Sequence, residues 1–193
     1  MKRLIIVHGW DGHPKANWFP WLKRELEKKG FEVLVPQLPD PGTPRIEKWV
    51  AKLAETVGTP DENTYFVGHS IGCATIAHYL EKLPEEVKVG GAIFVGGFFK
   101  ELTNLSGPEE EKIAENWLKA PIDFQKVKSH LPKSIAIFSD DDPWVPLDNV
   151  DDFRDKLGSE IITKKGMGHF NEDAGFIELP IVLELILDMS KQA

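Results

Sequence analysis

Short apolar runs alternate along this chain with longer stretches in which apolar residues recur every three or four positions. The runs at 4–7, 32–35, 64–67, 92–95, 135–138 and 160–163 are too short for helices and rich in Val, Ile and Phe, and they read as six strands. Amphipathic segments at 18–29, 45–57, 71–82, 148–157 and 175–189 predict helices between and after them. Such alternation predicts an α/β fold, a mainly parallel sheet with helices on both faces. The long interruption, 98–132, holds Phe98-Phe99, a Leu105-Ser106-Gly107-Pro108 turn, the acidic run Glu109-Glu110-Glu111 and two short helical pieces. A small cap and a solvated connection both fit it. Without a repeat, linker or low-complexity segment, residues 1–193 read as one domain.

Composition narrows the class of function. A hydrophobic share of 41% and a charged share of 28% are ordinary for a globular protein, and no apolar stretch is long enough to span a membrane. The net charge of -8 disfavours nucleic acid and anionic membranes as partners. Met1-Lys2-Arg3 followed by Leu4 to Val7 begins like a signal peptide, but His8, Gly9 and Asp11 end the apolar run early, so a first strand and a cytoplasmic location are expected. Cys73, the lone cysteine, has no internal partner, which fits a reducing compartment and a core position.

The chemistry begins at Gly68-His69-Ser70-Ile71-Gly72. A serine on a sharp strand-to-helix turn needs small residues two positions before and after it, because the backbone is strained there and packs closely. An apolar run precedes this pentad and a helical pattern follows it, so Ser70 reads as a nucleophile on an elbow. A serine hydroxyl needs a base to take its proton and a carboxylate to orient that base.

His169, in Gly166-Met167-Gly168-His169-Phe170 after the last strand, is the candidate base; His8, His13, His69, His78 and His130 all precede any acid that follows the fifth strand. The candidate acid lies in Asp140-Asp141-Asp142-Pro143-Trp144-Val145-Pro146. Aligning Val145-Pro146 to the end of a D-x-x-V-P loop puts Asp142 in the orienting position, leaving Asp140 and Asp141 as solvent-facing or turn residues. No metal or cofactor is called for, and activity is expected to rise with pH as imidazole loses its proton. An oxyanion would meet the N–H of Ile71, after the nucleophile, and the N–H of Trp10, in Val7-His8-Gly9-Trp10-Asp11-Gly12.

With a strand plus His-Gly start, an early elbow and a D-x-x-V-P loop, the chain resembles the small α/β hydrolases related to retinoblastoma-binding protein nine. The resemblance runs over nearly the whole length. It implies a minimal α/β-hydrolase fold that lacks two N-terminal strands, with sheet order 2-1-3-4-5-6 and a crevice at the switch point between strands one and three. It also implies a serine hydrolase acting on carboxylic esters or related small-molecule acyl substrates, with Ser70, Asp142 and His169 as the triad. A thioester or amide substrate would use the same triad, and a non-catalytic binding module could keep the same crevice. No protein partner is specified. Trp10, Phe98, Phe99, Trp144 and Phe170 are candidates for an apolar pocket, and a positively charged substrate is expected if Asp140 or Asp141 faces its mouth.

Overall fold

The computed structural model describes residues 1–191. Six strands form one sheet: β1 (Arg3–Val7), β2 (Glu32–Leu34), β3 (Thr64–His69), β4 (Gly91–Val95), β5 (Ser134–Ser139) and β6 (Glu160–Lys164). All neighbouring pairs are parallel and the order is β2-β1-β3-β4-β5-β6. The strand runs read as continuous apolar segments because both faces of the sheet are covered. Successive side chains then serve opposite cores: Ile5, Val7, Phe66, Phe94 and Phe138 pack on one face, and Leu4, Ile6, Val67, Ile93 and Ile137 on the other.

The first face is covered by α2 (Ile46–Val57), α3 (Ile71–Leu80) and α5 (Phe124–His130), the second by α1 (Phe19–Glu27) and α7 (Pro180–Lys191). Helix α3 is buried on every side, so it carries no polar face, and its few polar groups, on Thr75, His78 and Tyr79, are buried as well. Its termini therefore depend on neighbouring loops for positioning.

Several boundaries differ from the sequence pattern. The last helix begins at Pro180 rather than 175, because proline is pre-set for the first helical turn and Gly175, at φ 87°, is in a left-handed conformation. The 148–157 helix is a short α6 (Asn149–Asp151) that runs into a π-helical stretch, Asp152–Leu157, closed by Gly158 at φ 71°. Within 98–132 lie α4 (Pro108–Lys119) and α5. Helix α4 is tied to the body by Trp117, whose indole donates to the Pro44 carbonyl at 3.0 Å and meets Trp49 edge-on at 5.8 Å. The acidic run Glu109-Glu110-Glu111 occupies its first turn, where carboxylates favour the helix dipole.

Candidate active site

Ser70 joins β3 to α3 at φ 54° and ψ -127°, a conformation that costs an L-residue about 1–3 kcal/mol. Its N–H donates to the Val95 carbonyl and its own carbonyl accepts from Cys73 N–H, so the turn is pinned on both sides. The flanking glycines are required by close approach. A Cβ on Gly68 would stand 2.9 Å from the Cys73 backbone, and one on Gly72 only 2.3 Å from the Val7 carbonyl oxygen. The elbow therefore abuts the end of β1, which brings the β1 loop over the serine.

His169 lies in the loop between β6 and α7, with Gly166 and Gly168 at positive φ on its approach. Its Nδ1 lies 2.7 Å from Asp142 Oδ2, and the other oxygen of Asp142 accepts the N–H groups of Trp144 and Val145, each at 3.0 Å. Both carboxylate oxygens are thus occupied, which fixes the carboxylate and, through it, the imidazole ring. Gly96, at φ 53°, forms the floor, where a Cβ would be 3.4 Å from both Asp142 Oδ2 and the His169 ring.

Asp140 and Asp141 are exposed, in line with the expectation of solvent-facing or turn residues, but their carboxylates also hold backbone groups. Asp140 Oδ1 accepts Gly166 N–H, and Asp141 Oδ1 accepts both Gly168 N–H and the Ser139 hydroxyl, whose oxygen accepts Met167 N–H. The Ser139 hydroxyl, followed by the Gly168 N–H, holds the exposed Asp141 carboxyl below its ordinary range. Three consecutive aspartates thus fasten the His169 loop along its length. The sequence reading also missed Asn149, fully buried, which accepts the N–H groups of Phe99 and Lys100 and donates to the carbonyls of Glu101 and Pro146. It ties the segment after β4 to the loop carrying Asp142.

Two further histidines brace the serine. His69 Nε2–H donates to the main-chain carbonyl of His169 at 2.8 Å, and burial pushes its pKa down to about 3, so the ring is neutral. His8 accepts Leu38 N–H at Nε2 and donates from Nδ1 to the Gly9 carbonyl at 2.8 Å, with burial again lowering its pKa. The Gly9 carbonyl and the Trp10 N–H belong to one trans peptide and point in opposite directions, so anchoring the first orients the second. Among the described residues neither the Trp10 nor the Ile71 N–H has a protein acceptor. Single residue identities cannot reveal the contacts to Leu38 and His169, since both partners are distant in sequence.

Ser70 and His169 open into one cavity of about 420 Å³, lined also by Trp10, Phe98, Leu102, Leu105 and Trp144. The Ser70 hydroxyl has no hydrogen-bond partner among the described residues. Two of the expected pocket aromatics are elsewhere. Phe99 turns away to pack on Phe153 at 4.4 Å and meet Phe124 edge-on at 5.0 Å, and Phe170 is fully buried in the core on the α1 and α7 face of the sheet. Each follows a pocket residue in sequence, so the neighbouring position faces the core. Cys73 lies buried in α3 and burial drives its thiol pKa upward, the opposite of a reactive thiolate. Among the described residues no group of three or more His, Cys, Asp or Glu side chains could hold a metal ion, and no helix is long and apolar enough to cross a membrane.

Comparison with known proteins places this geometry among relatives. A family model described as Serine hydrolase matches residues 4–188. The chain is 34% identical over 185 residues to YdeN of Bacillus subtilis (strain 168), covering 96% of this chain and 94% of that protein. It is 30% identical over 188 residues to Serine hydrolase RBBP9 of Rattus norvegicus, covering 96% and 95% respectively. The crystal structure of the B. subtilis ydeN gene product superposes with a TM-score of 0.90 at 32% identity, over 99% of this chain and all of that one.

Proposed function

As the chain belongs to the serine hydrolase family, we propose that it cleaves carboxylic esters through a Ser70-His169-Asp142 triad and an acyl-enzyme intermediate. The observation that supports this most is the Asp142-bound imidazole of His169, opening into the same cavity as a serine held on a strained elbow. With Nδ1–H given to Asp142, the Nε2 lone pair of His169 is the base.

In the forward step His169 Nε2 takes the Ser70 hydroxyl proton as Oγ bonds to the acyl carbon. The carbonyl oxygen gains negative charge and is met by the N–H groups of Ile71 and Trp10, with the N-terminal dipole of α3 behind the first. Collapse of the tetrahedral species breaks the bond to the alcohol, which leaves with the proton from His169. Water then repeats the sequence, giving up a proton to His169 and releasing the carboxylic acid and free Ser70. Asp142 stabilises the imidazolium in both halves and stays ionised.

The same groups serve thioesters, whose leaving thiolate needs less protonation; amides demand more of His169 as an acid. Ester hydrolysis is the reading preferred, and hydrolysis of 4-nitrophenyl butyrate is its test. Turnover is expected to drop by about 10³-fold or more in Ser70→Ala and to be indifferent to chelators. Turnover that survives Ser70→Ala, or that a chelator abolishes, contradicts the mechanism.

A further inference from the structure

The alcohol that leaves in ester cleavage takes its proton from His169 Nε2. Its oxygen must come within hydrogen-bond reach of that nitrogen, so its substituent lies against whatever surrounds the imidazole. Among the described residues two aromatic rings pack on that imidazole. His69 is 4.8 Å away, centroid to centroid, but only 4% exposed, so it meets no substrate. Trp144 stands 5.2 Å away with its ring inclined at 79°, is 37% exposed and lines the cavity over Ser70.

The backbone that carries this indole is held on both sides. Trp144 N–H donates to Asp142 Oδ1 at 3.0 Å, and its carbonyl accepts Thr103 N–H at 2.9 Å. The preceding carbonyl, of Pro143, accepts from the Thr103 hydroxyl at 3.1 Å and from the Asn104 side-chain amide at 2.6 Å. A large apolar ring in contact with water gains free energy when covered, and a ring on a fixed backbone loses little conformational freedom in the process. Trp10, the second indole of the cavity, belongs instead to the oxyanion loop, where its ring N–H donates to the Gly42 carbonyl at 3.1 Å.

We propose that Trp144 is the specificity-determining residue for the leaving group and selects esters of aromatic alcohols, whose ring packs on the indole while the alcohol oxygen faces His169 Nε2. An aromatic ring suits an indole better than a saturated ring of the same size, because the quadrupoles of the two π-systems add to the area they bury. The inference rests on the serine-hydrolase reading and names the alcohol half of its substrate.

The test compares benzyl butyrate with cyclohexylmethyl butyrate, which shares the acyl half and differs only in the saturation of the ring. Each kcat/KM is divided by the ester's own rate constant for alkaline hydrolysis, which removes the difference in intrinsic reactivity. The corrected ratio is expected to favour the benzyl ester about fivefold in the native protein, to stay at about threefold in Trp144→Phe and to fall near one in Trp144→Leu. A contact that merely supported His169 would slow both esters alike in Trp144→Leu and leave their ratio as it was. A native ratio of one or less, or a ratio that Trp144→Leu leaves unchanged, overturns the proposal. Failure of both esters to turn over overturns it too, and labelling of Ser70 by a fluorophosphonate then decides whether the serine-hydrolase reading falls with it.

Discussion

Gly72→Ala tests how the elbow is built. A Cβ at this position would lie 2.3 Å from the Val7 carbonyl oxygen and 2.7 Å from that of His8, both backbone atoms at the end of β1. Neither can rotate aside, so the first turn of α3 must withdraw from β1 by about 1 Å to restore ordinary contact. Overpacking of this kind costs about 1–3 kcal/mol, and the rigidity of both partners puts this case near 3 kcal/mol. For a chain of this size that corresponds to a fall in Tm of about 6–12 °C. The same displacement carries the Ile71 N–H and Ser70 away from the Trp10 N–H, and a 1 Å misplacement of reacting groups costs about 10²-fold in rate.

Thermal melts and 4-nitrophenyl butyrate turnover read the two effects separately. Gly30→Ala is the control: Gly30 follows α1 at φ 85° with nothing within 4 Å of an added Cβ, so about 1 kcal/mol is lost and turnover is untouched. A Gly72→Ala protein with unchanged Tm and wild-type turnover would refute the close approach of elbow and β1.

Other perturbations isolate single groups. Asp142→Asn keeps an oxygen for the Trp144 and Val145 N–H groups but presents the wrong partner to His169 Nδ1, so kcat should fall by about 10⁴-fold with little change in Tm; a loss under tenfold would contradict the orienting role. Ser70→Gly removes the strained φ of 54° and should raise stability by about 1 kcal/mol in urea titrations while abolishing turnover; a destabilised variant would count against stored strain. Acid should destabilise the fold through His69. Its folded pKa, about 3, is depressed below the unfolded value near 6.5, so the contribution is full above 6.5 and is lost as pH falls from 6.5 toward 3. At pH 5 the loss from this group is about 2 kcal/mol, with His8 acting in the same direction. Urea midpoints at pH 7 and pH 5 measure it, and a pH response unaltered in His69→Gln would rule out His69 as the cause.

The parallel sheet is legible in the chain because its central strands are buried on both faces, so runs such as Ile93-Phe94-Val95 carry no polar interruption. Ser70 is legible because a turn at φ 54° against β1 leaves room only for glycine at 68 and 72. The pairing of Asp142 with His169 follows from two loops that leave neighbouring strands, β5 and β6, in the same direction. Other features depend on partners distant in sequence. Asp140 and Asp141 look like a solvated acidic run until Gly166 and Gly168 are seen opposite them. His8 and His69 look like spare histidines until Leu38 and the His169 carbonyl define their roles. Phe99 and Phe170 are aromatic residues next to a crevice, and only packing against Phe153 or Phe176 shows which way each one faces. The sequence pattern starts α7 at 175 because apolar residues continue through 175–179, whereas the backbone turns at Gly175 and the helix begins at Pro180.

The most direct test of the central claim is covalent. Native protein treated with a fluorophosphonate should gain the mass of one adduct, mapped by peptide sequencing to Ser70. The adduct should be absent from Ser70→Ala and from protein unfolded before treatment, since activation requires the assembled Asp142-His169 pair. Absence of labelling in the native protein, or an adduct on any residue other than Ser70, would contradict a serine hydrolase built on this elbow.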